Sequence, residues 1–155
     1  HIIGIARRRG TLTSALAVKA IDEGYTRIGP ELARAELVVI ATPVDMIAEH
    51  VEQTRSFVSP KAIITDAGSV KARILEAVEN RRHSKDSVAE FVGSHPLAGS
   101  HRSGPEAARG DLFEGRVCVV TPTPTTTASA LERVEEFWTK LGMHVCRMSG
   151  VEHDK

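Results

Sequence analysis

Short aliphatic runs and helical stripes alternate along the chain. "HIIGIA", His1–Ala6, is a strand-like opening, and in "TLTSALAVKAIDEG" Leu12, Leu16 and the Val18/Ile21 pair recur at helical spacing until Gly24 stops the pattern. "LVVIATP", Leu37–Pro43, is almost wholly aliphatic and ends on proline, as a buried parallel strand does. The next stripe carries Ile47, Val51 and Val58, and after it "AIITD", Ala62–Asp66, predicts another strand. "SVKARILEAVENRR" places Val70, Ile74 and Val78 at steps of four, with Ser69 positioned to cap the helix. "EFVG", "RVCVVTP" and "MHVCRM" supply three more strands. Before the last of these, "SALERVEEFWTKLG" pairs a Ser129/Glu132 capping-box pattern with a Leu131, Val134, Trp138 and Leu141 stripe.

Strands alternating with helices predict an α/β, Rossmann-like, doubly wound and mostly parallel sheet wrapped on both faces. Right-handed crossovers bring the C-terminal ends of the parallel strands to one edge, where open α/β sheets bind ligands. Four segments fall there: Ala6–Gly10, Thr42–Asp45, Asp66–Lys71 and Gly93–Gly104. The glycine-rich turn that normally follows the first strand of a dinucleotide fold does not occur. "HIIGIARRR" instead matches the second strand, and a sheet lacking its central first strand is expected to have a gap.

Composition narrows the reading. The 155 residues are 41% hydrophobic and 26% charged, with Lys+Arg 20 against Asp+Glu 20, which suits a soluble globular unit. Zero formal net charge gives nucleic acid no electrostatic footprint, and no apolar run approaches the roughly 20 residues of a membrane span. Cys118 and Cys146 fit neither a zinc pair nor a disulfide scaffold, and read as buried thiols in a reducing, cytoplasmic setting. His95, His101 and His153 lack a zinc spacing, so no metal is expected.

Each edge segment carries chemistry with a plainer alternative beside it. After the second strand of an NAD site an acid commonly accepts from the ribose hydroxyls, whereas arginine favours the 2′-phosphate of NADP. Ala6 supplies no acid and Arg7 and Arg8 supply two guanidinium forks; the alternative is a solvated basic turn. Thr42 and Pro43 stop a strand where a cofactor runs, or form only a turn. Asp66, Gly68, Ser69 and Lys71 crowd a strand end and helix start that can bind an anion, or Ser69 is a simple N-cap. "GSHPLAGSHRSG", Gly93–Gly104, is too glycine-rich for a helix and too polar for a core strand, and reads as a loop. Its His95 either handles a proton or is inert.

In this order the motifs resemble the prephenate and arogenate dehydrogenase family of tyrosine biosynthesis. The matching pieces are "LVVIATPV", "ITDAGSVK", "FVGSHPLAGSHRSGPEAARGDLFEG", "VVTPTPTTT" and "EHDK". The resemblance implies oxidative decarboxylation of prephenate or arogenate with hydride passed to NADP or, alternatively, NAD. His95 would take the proton of the ring hydroxyl, with Ser69 near substrate and nicotinamide, and His101 in the substrate pocket. Thr42 and Pro43 would lie beside the cofactor, Asp66 and Gly68 would help bind it, and Ala6, Arg7 and Arg8 would choose between cofactors. Residues 1–150 would be a partial dinucleotide-binding domain and 151–155 the start of a connection to a C-terminal helical domain that makes a homodimer. Ser94 stands where the family usually has glycine, and His101 where an acid is common, leaving the substrate pocket open. A nucleotide-binding regulatory domain without catalysis is the alternative.

Overall fold

The computed structural model describes residues 1–81, 88–99 and 104–155. The described residues form seven strands and five α-helices, in the order β1 (Ile3–Ile5), α1 (Arg9–Ala17), β2 (Glu23–Tyr25), β3 (Leu37–Ile40), α2 (Val44–Arg55), β4 (Ile63–Asp66), α3 (Ala72–Asn80), β5 (Glu90–Pro96), β6 (Val117–Thr121), α4 (Ala128–Lys140), β7 (His144–Arg147) and α5 (Gly150–His153). Among these strands β1 and β2 form a parallel pair, and the other five form a sheet of order β3-β4-β5-β6-β7. Only β5 and β6 run antiparallel within it. The expected discontinuity therefore falls between β1 and β3. Ile5 and Val39 are 36% and 37% exposed there, a high value for strand-borne aliphatics.

Period-two alternation sends neighbouring residues to opposite faces. Ile64 and Phe91 pack with Ile47 and Val51 of α2 and with Ile74 and Val78 of α3, while Ile63 and Val92 pack with Val134 and Trp138 of α4. All four residues of β4 are buried, the aliphatic Ile63 and Ile64 and the polar Thr65 and Asp66 alike. Thr65 donates to the Val92 carbonyl at 2.7 Å and Asp66 has its own partners, described below.

Three local expectations are corrected. Gly24 does not end a helix but lies inside β2, which the helical stripe obscured; α1 has already stopped, and Leu16 and Val18 are exposed. Thr127, not Ser129, caps α4, accepting from the Ala130 amide at 3.2 Å. The segment Gly93–Pro96 is a strand rather than a loop, because β6 pairs with it residue for residue, His95 opposite Val119. Gly93 suits that pairing through size: a Cβ there would lie 2.5 Å from Thr121 Oγ1.

Candidate functional site: a buried ion pair beneath a histidine cluster

The register assembles the edge. Ile40 pairs with Asp66 and Thr65 with Val92, so the ends of β3 and β4 are level, while β5 continues for several residues past β4 along β6. His95 lies on that extension.

Beneath the edge Lys71 and Asp66 are both wholly buried and form an ion pair. Asp66 also accepts from the Ser94 amide and the Gly68 amide, each at 2.9 Å, and Lys71 Nζ donates to the Ser94 carbonyl at 2.8 Å. Burial pushes the Asp66 carboxyl up and the Lys71 ammonium down, each opposed by the partner's charge. Every partner of Asp66 is a donor, which suits the ionised, acceptor-only carboxylate.

Ser94 is the hub of this network. Its Oγ donates to the Asp66 carbonyl at 2.5 Å, accepts from the Trp138 indole at 3.0 Å and lies 2.8 Å from Thr65 Oγ1. Ser94 is fully buried, so its departure from glycine falls in the core and not in a substrate pocket. Trp138 is in turn clasped edge-on by Phe113 and Phe137, at ring-centroid distances of 5.6 and 4.9 Å.

Above the ion pair, His95 Nδ1 meets His153 Nε2 at 2.8 Å, and His153 Nδ1 meets Asp154 Oδ1 at 2.7 Å. Asp154 accepts from the amides of Lys71 and Ala72, at 2.8 and 2.9 Å, and so caps α3 from the far end of the chain. The cap expected at Ser69 is therefore supplied by Asp154. Ser69 is exposed ahead of α3, whose helical residues begin at Ala72. A capping box between Ser149 and Glu152 forms α5 and delivers His153 and Asp154 to this position.

Partial burial holds the His95 imidazole below the ordinary histidine range, helped by His153 and Lys71 and opposed by Asp154. A half-buried imidazole that is neutral at neutral pH is suited to accepting a proton.

The remaining expected residues divide by burial. Asp66 is sealed beneath the edge and Gly68 is buried next to it, where a Cβ would lie 2.7 Å from Ile47 Cδ1. Thr42 and Pro43 stand at the head of α2, the Thr42 hydroxyl 3.0 Å from His50 Nδ1. Ala6, Arg7 and Arg8 follow β1; the Ala6 amide donates to the Tyr25 carbonyl at 3.1 Å, and both arginines are exposed. His101 lies outside the described residues. Sequence reasoning missed the burial of Lys71 and the roles of His153 and Asp154, for which the S-x-x-E pattern of "SGVEHDK" was the available signal.

Parallel strands ending level at one sheet edge, with an arginine-bearing turn after another parallel strand, are the architecture of a dinucleotide-binding domain of the NAD(P) type. The family model described as prephenate dehydrogenase, nucleotide-binding domain, matches residues 1–147, and the chain belongs to that family. Prephenate dehydrogenase of Bacillus subtilis (strain 168) is 33% identical over 155 residues, covering 99% of this chain and 41% of that protein. The crystal structure of prephenate dehydrogenase from A. aeolicus in complex with hydroxyphenyl propionate and NAD+ superposes with a TM-score of 0.87 at 31% identity, over 98% of this chain and 52% of that one. Arogenate dehydrogenase of Synechocystis gives a TM-score of 0.86 at 29% identity, over 98% and 52%. The chain thus spans about half the length, or less, of these relatives. Among the described residues no helix is long and apolar enough to cross a membrane, and no cluster of three metal-ligating side chains occurs.

Proposed function

We propose that the protein is an NAD(P)-linked dehydrogenase that oxidatively decarboxylates prephenate or arogenate, with His95 as the base. The observation that carries this reading is His95 itself, held on the overhanging end of β5 with its pKa lowered by burial, in a chain of this family. His95 would accept the ring hydroxyl proton as hydride leaves the same carbon. Loss of carbon dioxide aromatises the ring, and the phenol oxygen takes a proton back, so the proton count balances.

The donor set fits a dinucleotide. Arg7 and Arg8 would hold the adenosine end, Thr42 and Pro43 would line its course, and Ser69 would stand near the reacting ring. When bound, the nicotinamide supplies the hydride acceptor. This chain contributes alignment and deprotonation. Ala6 offers no carboxylate to the ribose, and the two exposed guanidinium groups favour NADP through charge-assisted bonds to its 2′-phosphate.

The test is to incubate the full-length protein with prephenate or arogenate and with NAD or NADP, following reduced cofactor at 340 nm. Substrate-dependent reduction, faster with NADP, is expected. Cofactor binding without reduction of either cofactor would show the noncatalytic regulatory domain instead.

A further inference from the structure

A histidine base needs a bare ring nitrogen facing its substrate, yet a neutral imidazole carries hydrogen on either of its two nitrogens. The hydrogen bonds around His95 select one of them.

Asp154 is the fixed end of the chain of bonds. Burial pushes its carboxyl up, but the bonds from His153 and from the Lys71 and Ala72 amides outweigh this and hold it low, so Asp154 is an anion that only accepts. His153 Nδ1, 2.7 Å from that carboxylate, must then carry hydrogen. In neutral His153 the lone pair is left on Nε2, which faces His95 Nδ1 at 2.8 Å. His95 must place its hydrogen on Nδ1, and its Nε2 is left bare.

We infer that His153 and Asp154 form a relay that fixes the tautomer of His95, with His153 as a positioning residue that keeps His95 Nε2 free to accept a proton. The base role rests on the proposed dehydrogenase reading; the tautomer does not. His153 is well placed for this duty: only 7% of its side chain is exposed, and its ring lies edge-on to His95 at a 64° interplanar angle. The relay also works after proton uptake. A protonated His95 gains its second hydrogen on Nε2 while Nδ1–H keeps the same acceptor, now in a charge-assisted bond. The geometry parallels the general arrangement in which a buried carboxylate orients a histidine base, with a second imidazole interposed.

Among the described residues, the other groups near His95 do not supply an alternative partner for Nδ1. From the head of α3, the Lys71 ammonium is engaged by Asp66 and the Ser94 carbonyl. From β6, burial pushes the Cys118 thiol up to about 12, so it stays neutral.

The experiment is two-bond 1H–15N NMR on histidine-labelled full-length protein at about pH 8, above the ordinary histidine pKa, with His95→Asn and His153→Gln assigning the signals. His95 is expected to show a protonated Nδ1 and a bare Nε2, and His153 a protonated Nδ1. Steady-state kinetics add a second readout. His153→Leu should lower kcat on the order of 10- to 100-fold with KM within about twofold, as loss of an orienting partner does. His153→Gln, whose amide oxygen can accept from Nδ1–H, should recover most of that loss. Hydrogen on His95 Nε2 in the wild type, or unchanged kcat in a folded His153→Leu variant, would overturn the relay. A full-length protein that reduces cofactor with neither substrate defeats the dehydrogenase reading alone, since NMR still decides the tautomer.

Discussion

At the ends of β4 and β5 Lys71 and Asp66 are sealed from water with their charged groups hydrogen-bonded, whereas at the β1 turn Arg7 and Arg8 stand in solvent. Both regions hold cations, one enclosed and one open. The first is organised before any ligand arrives, because leaving such groups unpaired in the core would cost far more than leaving them unpaired at the surface. The second would gain its order only on binding the anion proposed for it. Preorganisation should therefore govern turnover at one end, and screened charge should govern cofactor choice at the other.

The largest effect tests the sealed end. Lys71→Met strands the Asp66 carboxylate in the core and should cost about 3–5 kcal/mol of folding stability, measured by urea denaturation. The double variant with Asp66→Leu should recover part of that loss. A Lys71→Met protein as stable as the wild type would erase the contrast between the two ends.

Arg7→Ala tests the open end. It should reduce kcat/KM with NADP by about 30-fold, some 2 kcal/mol, and leave NAD almost unaffected. The loss should shrink as salt rises, since the contact is exposed. Equal impairment with both cofactors, or a wild type that already prefers NAD, would reduce "ARRR" to a solvated turn.

A smaller effect sharpens the comparison between local and long-range support. Ser149→Ala removes the cap that presents His153 and Asp154, and should destabilise the protein by about 1 kcal/mol. It should also lower kcat more than KM. If kcat is untouched, α5 holds its place by packing and the capping box is incidental to the site.

The alternation of aliphatic runs and stripes is enough to read the wound, mostly parallel sheet, because burial on two faces imposes those patterns locally, and the missing glycine-rich turn is enough to read its discontinuity. What escaped depends on partners distant in sequence. "GSHP" has the composition of a loop and becomes a strand because β6 pairs with it. Lys71 looks like a solvated helix-start residue until Asp66 and the Ser94 carbonyl enclose it. Local pattern makes Ser69 the cap of α3, but Asp154, 83 residues beyond Lys71, accepts from that residue's amide. His95 was legible as a chemical candidate from type and setting, whereas its orientation by His153 was not, since no local pattern links residues 58 positions apart.

The central claim, that His95 is the base, is tested most directly by the pH dependence of kcat for wild type and His95→Asn in the full-length protein. Burial lowers the pKa of His95, so its imidazole is neutral from the alkaline side down to somewhat below pH ~6.5, and protonation removes the base only under more acidic conditions. Wild-type kcat should hold level through neutrality and fall with acid. His95→Asn should bind cofactor normally, turn over about 100-fold more slowly and lose that acidic limb. An asparagine variant with wild-type turnover, or one that keeps the same acidic limb, would contradict the account.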